Sequence, residues 1–464
     1  MRRSKVQWPP GPTGVPLLGM GPRFVRDPLG FTLEMAKNHG DIACTHFGPR
    51  TLIWLNHPRL IEEVFVGQHR ACIKDPTTRA LIPVLGNGLL TNEGDAWRKQ
   101  RRLAAPALQP KRITGYTSAM TDCTERFASA LRDDELRDIH ADIMTVTLEI
   151  VGRTLLGFDT RRDAQLVSDA LEDVISYYDQ MLFTAFGFVL SQLPLPPRLR
   201  FQRAVRALES VVEQIVQRAR REPHADYLIA QLAAAEEEGE HMSDRQLRDE
   251  AMTMLLAGHE TTALTICYAL YALAKNPACE ARLRAELDGL GSATPVQSDL
   301  ERMPYLDAVV REALRLYPPA WAFGRELSSP IKLAGYELPA GVEIAVSPFA
   351  LHRDARFFRE PERFLPERWL DESRAAPPRY AYIPFGAGPR SCIGNHFAKL
   401  EAALVLASLL QQVRLQLVPG YKLSFLPVIT LRPKAGLPVI VRRVQARRSL
   451  RPPASAQLGP QIGS

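Results

Sequence analysis

Through most of residues 91–320, apolar positions recur every three to four residues between polar ones, the pattern of helices that bury one face. One segment stands apart. Ser243 followed by Gln246 is a capping-box signature, an apolar helical pattern runs from Leu247 to Ala274, and Asn276-Pro277 supplies the stop, with Asn276 also placed to cap the next helix. At 1.5 Å per residue such a helix is roughly 45 Å long. It crosses a whole domain, so its middle must be buried. A further helix is predicted over Leu306–Leu316, ended by Pro318-Pro319. The period then changes: Ile331–Leu333 and Val342–Val346 alternate as strands, joined across Gly335 and Pro339-Ala340-Gly341. Short strands are predicted at Ile42–Phe47 and Thr51–Leu55, and a last long helix from near Cys392 to about Val413. The pattern predicts a mainly α-helical α+β fold with one long central helix and small β-sheets.

Composition adds limits. The 464 residues are 46% hydrophobic and 23% charged, which is ordinary for a soluble globular chain with a large core. No internal repeat or linker divides the chain. The expected organisation is a proline-rich segment (1–15), one domain (16–444) and a flexible Arg-, Pro-, Ser- and Gly-rich tail (445–464). Glu236–Glu240 reads as a solvated loop. The net charge of +7 and the pI of about 9.1 raise the prior for nucleic acid, a membrane surface or an acidic protein as partner, although solubility alone accounts for them. Six cysteines without a C-x-x-C pair argue against a disulfide or zinc framework and for a reducing, cytoplasmic setting. There is no signal-peptide run and no stretch of about 20 apolar residues. The most apolar segment, Met181–Leu195, is broken by Gly187 and reads as a buried or interfacial helix.

The chemistry concentrates in Phe385-Gly386-Ala387-Gly388-Pro389-Arg390-Ser391-Cys392-Ile393-Gly394. Gly386 and Gly388 permit a tight loop whose N–H groups reach sulfur, and Cys392 sits where a helix begins, a place that favours thiolate over thiol. Other readings compete. Gly386-x-Gly388 before a helix has the look of a dinucleotide loop, but the third glycine and a preceding βαβ unit are missing. A lone cysteine is more often an inert core residue. A nucleophilic cysteine needs a histidine base, and His396 one turn along is weak support.

The stretch resembles the haem-binding loop of the cytochrome P450 family, Phe-x-x-Gly-x-x-x-Cys-x-Gly, at every fixed position. The resemblance implies haem b (iron protoporphyrin IX) with Cys392 as metal ligand, Phe385 beside the sulfur and Arg390 at a haem propionate. Four more segments match. Glu312-Ala313-Leu314-Arg315 is similar to the family's Glu-x-x-Arg, and Pro361-Glu362-Arg363-Phe364 to the segment that completes a Glu–Arg–Arg network; the residues implied are Glu312, Arg315 and Arg363, with a structural role. Trp97-x-x-x-Arg101 is similar to the motif that reaches a propionate from one helix face, and Arg325 falls where many members carry a further propionate-binding arginine. Ala257-Gly258-His259-Glu260-Thr261-Thr262 resembles the oxygen-activation motif in mid-helix. Gly258 would open room for O2, Thr261 would hold a water or the distal oxygen, Glu260 would connect to solvent protons, and His259 would face away; the plainer reading is a kinked core helix with Thr261 bonded back one turn.

The resemblance implies a monooxygenase that uses O2 and hydroxylates an apolar substrate, as a monomer without a membrane span and without nucleic acid. A peroxide-using peroxygenase, an O2-independent isomerase of the same fold and a non-catalytic haem sensor are the alternatives; Glu260 and Thr261 weigh against each. Seventy-two residues follow Cys392, which leaves no room for a fused reductase, so a separate ferredoxin or flavodoxin with its reductase is the expected electron donor. Arg98, Lys99, Arg101, Arg102, Lys111 and Arg112, with no acidic residue among them and with Lys399 near, are its expected docking patch. By the same resemblance the expected substrate pocket draws on Pro76–Leu90, Tyr177–Leu190, the long helix before Gly258, Ala320–Phe323 and Val428–Thr430, with Phe183, Phe186, Trp321 and Phe323 as bulky walls, and suits a lipid, terpenoid, steroid or polyketide.

Overall fold

A computed structural model describes residues 7–158, 164–183, 193, 195–237, 239–290, 294–371 and 376–444. Its principal helices are α1 (Gly94–Ala104), α2 (Ile139–Val151), α3 (Ala164–Phe183), α4 (Pro196–Arg221), α5 (Asp244–Lys275), α6 (Pro304–Leu316) and α7 (Asn395–Gln412). The capping box starts α5 as its sequence predicts. Ser243 Oγ accepts from the Gln246 N–H at 3.3 Å, and Gln246 Oε1 accepts from the Ser243 N–H at 2.8 Å. Its 32 residues are apolar on nearly every face, so α5 lies in the core, packed against α2, α4, α6 and α7. Asn276 does not cap the next helix; its Nδ2 donates to the Ala272 carbonyl at 2.7 Å and closes α5 instead.

The strands are β1 (Ile42–Phe47), β2 (Arg50–Leu55), β3 (Cys72–Lys74), β4 (Leu136–Asp138), β5 (Phe323–Leu327), β6 (Glu343–Val346), β7 (Val413–Leu417), β8 (Phe425–Pro427), β9 (Leu431–Pro433) and β10 (Pro438–Arg443). The first sheet has the order β1-β2-β6-β5-β3, antiparallel except for β6 on β2, where Ile344 stands opposite Ile53. A second sheet runs β7-β10-β4, and β8 pairs with β9. The two strands predicted around Gly335 do not pair with each other. Ile331–Leu333 folds back on Tyr336–Leu338 across Ala334 and Gly335, both at positive φ, while Glu343–Val346 joins the large sheet. Glu236–Glu237 pairs with Glu240–His241 as a small hairpin.

The helices enclose one apolar cluster and the large sheet covers a second. The tail 445–464, residues 1–6 and Phe186 lie outside the described residues. No helix among the described residues is long and apolar enough to cross a membrane.

Candidate active site at Cys392

The cysteine loop is shaped by backbone. Gly388 has φ +69°, and a Cβ there would come within 1.9 Å of the Phe65 carbonyl oxygen, so only glycine allows the loop to lie this close to its neighbour. The Cys392 N–H donates to the Phe385 carbonyl at 2.8 Å and closes the turn. The helix start is Asn395, with Gly394 as N-cap, so Cys392 precedes the first turn rather than opening it. The consequence is electrostatic. Burial pushes the thiol up, and the Gly394 N–H and the Arg101 guanidinium only partly offset that. A bound metal ion would itself remove the proton. The residue keeps accessible surface.

The face of α5 that carries Leu256, Ala257, Gly258 and Thr261 also keeps accessible surface, in mid-helix, between buried turns. Thr261 Oγ1 donates to the Ala257 carbonyl at 2.8 Å, Thr262 Oγ1 to Gly258 at 3.1 Å and Thr265 Oγ1 to Thr261 at 2.9 Å. A Cβ on Gly258 would lie 3.4 Å from Val151 and 3.7 Å from Leu155, in α2 and the turn after it, and Ala257 beside it is exposed. His259 is buried, with Nδ1 on the Leu255 carbonyl at 2.8 Å, and burial holds its pKa down.

Glu260 has partners that no local pattern revealed. It is buried and ion-paired with Arg432, and it accepts from Thr430 Oγ1 at 2.7 Å. Burial opposes its ionisation, but the charge and hydrogen bonds of Arg432, with the Thr430 bond, hold the carboxyl below its ordinary range. Arg432 also reaches Glu172 at 3.3 Å, whose side chain is 69% exposed.

Four side chains were expected at the haem propionates. Trp97 is buried on α1, and its indole N–H has no acceptor among the described residues. Arg101 donates from Nη1 to the Ser391 carbonyl at 3.0 Å, which ties α1 to the cysteine loop. Arg325 lies over the Phe65 ring at 5.6 Å; it donates only to the Gly324 carbonyl at 2.7 Å and forms no ion pair among the described residues. Burial lowers its pKa. Arg390 differs from expectation. It stacks 3.7 Å over Trp97, donates to the Asn92 carbonyl at 2.7 Å and pairs with Glu93, a carboxylate itself anchored by the Lys74 N–H. Its charge is already matched within the protein.

An accessible thiol, a half-buried guanidinium with no ion pair among the described residues and an indole N–H lacking an acceptor there are the donor set that a planar dicarboxylate with a thiophilic metal requires. The residues fit a haem. Phe385, half-buried, lies 5.7 Å from the Lys399 ammonium, and Gly386 has φ +76° in the loop.

The structural network is complete but one member is corrected. Arg315 grips Glu312 with two bonds, Nε to Oε2 at 2.9 Å and Nη2 to Oε1 at 2.8 Å, and both side chains are 0% exposed. The third charged partner is Arg368, whose Nε meets Glu312 Oε1 at 3.0 Å, not Arg363. Arg363 gives Arg315 only its backbone carbonyl, at 2.9 Å, so its side chain must point away; it is 68% exposed and pairs with Glu360. The network continues to the cysteine loop through His352, which donates to the Arg315 carbonyl at 3.2 Å and accepts from the Ile383 N–H at 2.9 Å.

The expected pocket walls divide. The loop after Leu85 is pinned to α5: the Asn87 N–H meets Asp249 at 2.8 Å and the Leu89 N–H meets Glu250 at 3.2 Å. Burial pushes the Glu250 carboxyl up to about 8. Trp321 is a core residue, packed with Leu29, Phe349 and Leu431 and bonded to the Val428 carbonyl at 2.9 Å. Phe323 is half-buried against Phe65 at 5.4 Å. The side chain of Phe183 lies outside the described residues.

Comparison with known proteins bears on this constellation. The family model described as Cytochrome P450 matches residues 9–435. Cyclooctatin synthase of Streptomyces melanosporofaciens is 34% identical over 426 residues, 90% of this chain and 92% of that protein. Pentalenene oxygenase of Streptomyces avermitilis is 33% identical, over 88% and 91%. Among solved structures, the retinoic acid-bound cyanobacterial CYP120A1 superposes with a TM-score of 0.84 at 26% identity, covering 95% of this chain and all of that one.

Proposed function

Because this chain belongs to the cytochrome P450 family, and is with it a haem b oxidoreductase that incorporates oxygen from O2, we propose that it hydroxylates a C–H bond of an apolar, terpenoid-like substrate. The observation that carries this reading is accessible surface at Cys392 and, in the middle of an otherwise buried helix, along Ala257–Thr261, backed by a buried acid, Glu260, whose cation also reaches the exposed Glu172. The terpenoid class is supported by the likeness to pentalenene oxygenase.

The haem, when bound, supplies O2 binding and O–O cleavage; the protein supplies position, protons and exclusion of water. Cys392 gives the sulfur donor. Trp97, Arg101 and Arg325 would hold the two carboxylates, which would give Arg325 the ion pair it lacks among the described residues. Thr261 is fixed by its bond to Ala257 and keeps its lone pairs for a proton donor on the accessible side. Glu260 stays ionised while Arg432 faces it. Arg432 has a second anion, Glu172, within reach, and a turn toward it lets Glu260 take up a proton from the solvent side.

Electrons come from a redox partner. We assign its docking to the face where α1 meets the cysteine loop. Arg98, Arg102, Lys111 and Arg112 are exposed there, and Lys399 stands beside Phe385. A ferredoxin or flavodoxin of acidic surface fits this face, and a cytoplasmic setting fits such a donor. The test of the function is a binding screen of terpenes and terpenoid alcohols by the shift of the haem absorption band, followed by product analysis with NADPH and a surrogate donor pair. The expected result is a singly hydroxylated product; turnover with peroxide alone and none with O2 and NADPH would overturn it.

A further inference from the structure

Glu93 stands at the N-cap of α1. A capping acid there would turn its carboxylate back to the first N–H groups of the helix. Glu93 does not, and its side chain makes no cap bond. Instead Oε1 accepts from the Lys74 N–H of β3, and Oε2 pairs with Arg390 of the cysteine loop. The neighbouring residues support the same contact. Asn92 Oδ1 accepts from the Glu93 N–H at 2.9 Å, and the Asn92 carbonyl accepts from Arg390 Nη1 at 2.7 Å. Trp97, one turn into α1, lies 3.7 Å from the same guanidinium. One short segment, Asn92 to Trp97, therefore holds Arg390 by charge, by hydrogen bond and by ring.

The surroundings are cationic. Burial lowers the Arg390 guanidinium to about 10; Glu93 acts against that, and Arg325, Arg101 and Arg98 add to it. Burial likewise brings the Lys74 ammonium down to about 7, with Arg325 and Arg390 adding to the effect and Glu93 and Asp75 opposing it. Of these two acids, Asp75 is committed to the short helix Pro76–Arg79, where it accepts from the Thr78 N–H at 3.1 Å and the Thr78 hydroxyl at 2.7 Å. Glu93 is the one that reaches the cysteine loop. Its match with Arg390 leaves Arg101 and Arg325 as full charges for the two carboxylates of a haem.

We propose that Glu93 is a positioning residue that holds Arg390 as an internally neutral pair beside the cysteine loop and so keeps the reduction potential of the haem iron low. A lone cation there would favour the added electron and a lone anion would oppose it. The pair does neither. The inference rests on the haem site and is independent of the substrate class.

The test is a redox titration of the haem-loaded protein, followed by its absorption spectrum, for the wild type, Glu93→Gln, Arg390→Gln and the double variant. Glu93→Gln leaves a lone cation and should raise the potential; Arg390→Gln leaves a lone anion and should lower it. Each shift should be about tenfold in the equilibrium constant of the one-electron step, which is ~59 mV. The double variant removes both charges and should return to the wild-type value. Distortion of the loop alone would not give shifts of opposite sign that cancel. Shifts of one sign, no shift in either single variant, or a double variant further from the wild type than both single ones overturns the pair. Should a single variant lose its haem, haem retained by the double variant supports the pair and haem lost there as well overturns it. A wild type without the thiolate–CO band overturns the haem site beneath it.

Discussion

Two buried ion pairs sit on two helices of this fold and differ in their surroundings. Glu312 and Arg315 on α6 are sealed. The carboxylate receives Arg315 twice, Arg368, the Trp369 indole at 2.9 Å and the Leu365 N–H at 2.9 Å, and the guanidinium spends its remaining donors on three carbonyls. Glu260 on α5 has one cation and one hydroxyl, and that cation is shared with a carboxylate at the surface. The first arrangement has one solution, because moving either partner strands several groups at once. The second has two, because Arg432 can trade one anion for another. A buried ion pair is therefore scaffold or switch according to how many of its neighbours are committed.

The largest expected effect comes from breaking the sealed pair. Glu312→Gln should cost roughly 3–5 kcal/mol, lower the melting temperature and impair haem retention, since the charge of Arg315 remains inside without its partner; Arg368→Ala, which leaves the Glu312–Arg315 pair in place, should cost about 1–3 kcal/mol. Arg363→Ala should shift stability by no more than about 0.5 kcal/mol. Thermal melts and haem content of the three variants decide between Arg368 and Arg363 as the third partner; equal losses from both arginines would contradict the geometry.

Opening the second pair should leave the fold in place and strike turnover. Glu260→Gln should slow product formation about 100-fold, the scale of a lost general acid, with haem content unchanged. Arg432→Met removes the charge that holds the Glu260 carboxyl low, so the pH profile of turnover should move to higher pH. Thr261→Ala should keep NADPH oxidation while peroxide rises and product falls. Coupling unchanged in all three would make this helix segment mere scaffold.

His352 sharpens the contrast through pH. Burial, and then the charge of Arg315, hold its pKa down at about 3, against about 6.5 in an unfolded chain. The unfolded state thus binds the proton first. The contribution of neutral His352 is full above about pH 6.5 and is lost as pH falls toward 3. Stability measured across that interval should drop less steeply in His352→Gln.

Much of this was legible in sequence. The capping box, the Asn276-Pro277 stop and the cysteine loop are local patterns, and local patterns fix α5 and the loop. Arg368 was missed because Pro-Glu-Arg occurs twice, at 361 and 366, and backbone direction alone decides which side chain turns inward. A tryptophan next to the second copy, Trp369, was the available signal. Arg432 and Thr430 stand about 170 residues from Glu260, and no spacing rule spans that distance. Trp321 was misread for a related reason: chain position brings a residue near a pocket, but the packing around it decides whether it faces the pocket or the core.

The smallest expected effect is at the surface. Reduction by an acidic donor should slow as salt rises, because exposed charges are screened beyond about 8 Å at physiological ionic strength; Arg112→Glu should slow it further and flatten the salt response. Stopped-flow reduction under CO measures both, and a flat response with equal rates would remove the docking face.

Everything above depends on sulfur from Cys392 reaching the iron. The direct measurement is the absorption spectrum of the reduced, CO-bound protein. The wild type should show the red-shifted band from which the family takes its name, and Cys392→Ala should lose it. A normal band in Cys392→Ala would contradict the account.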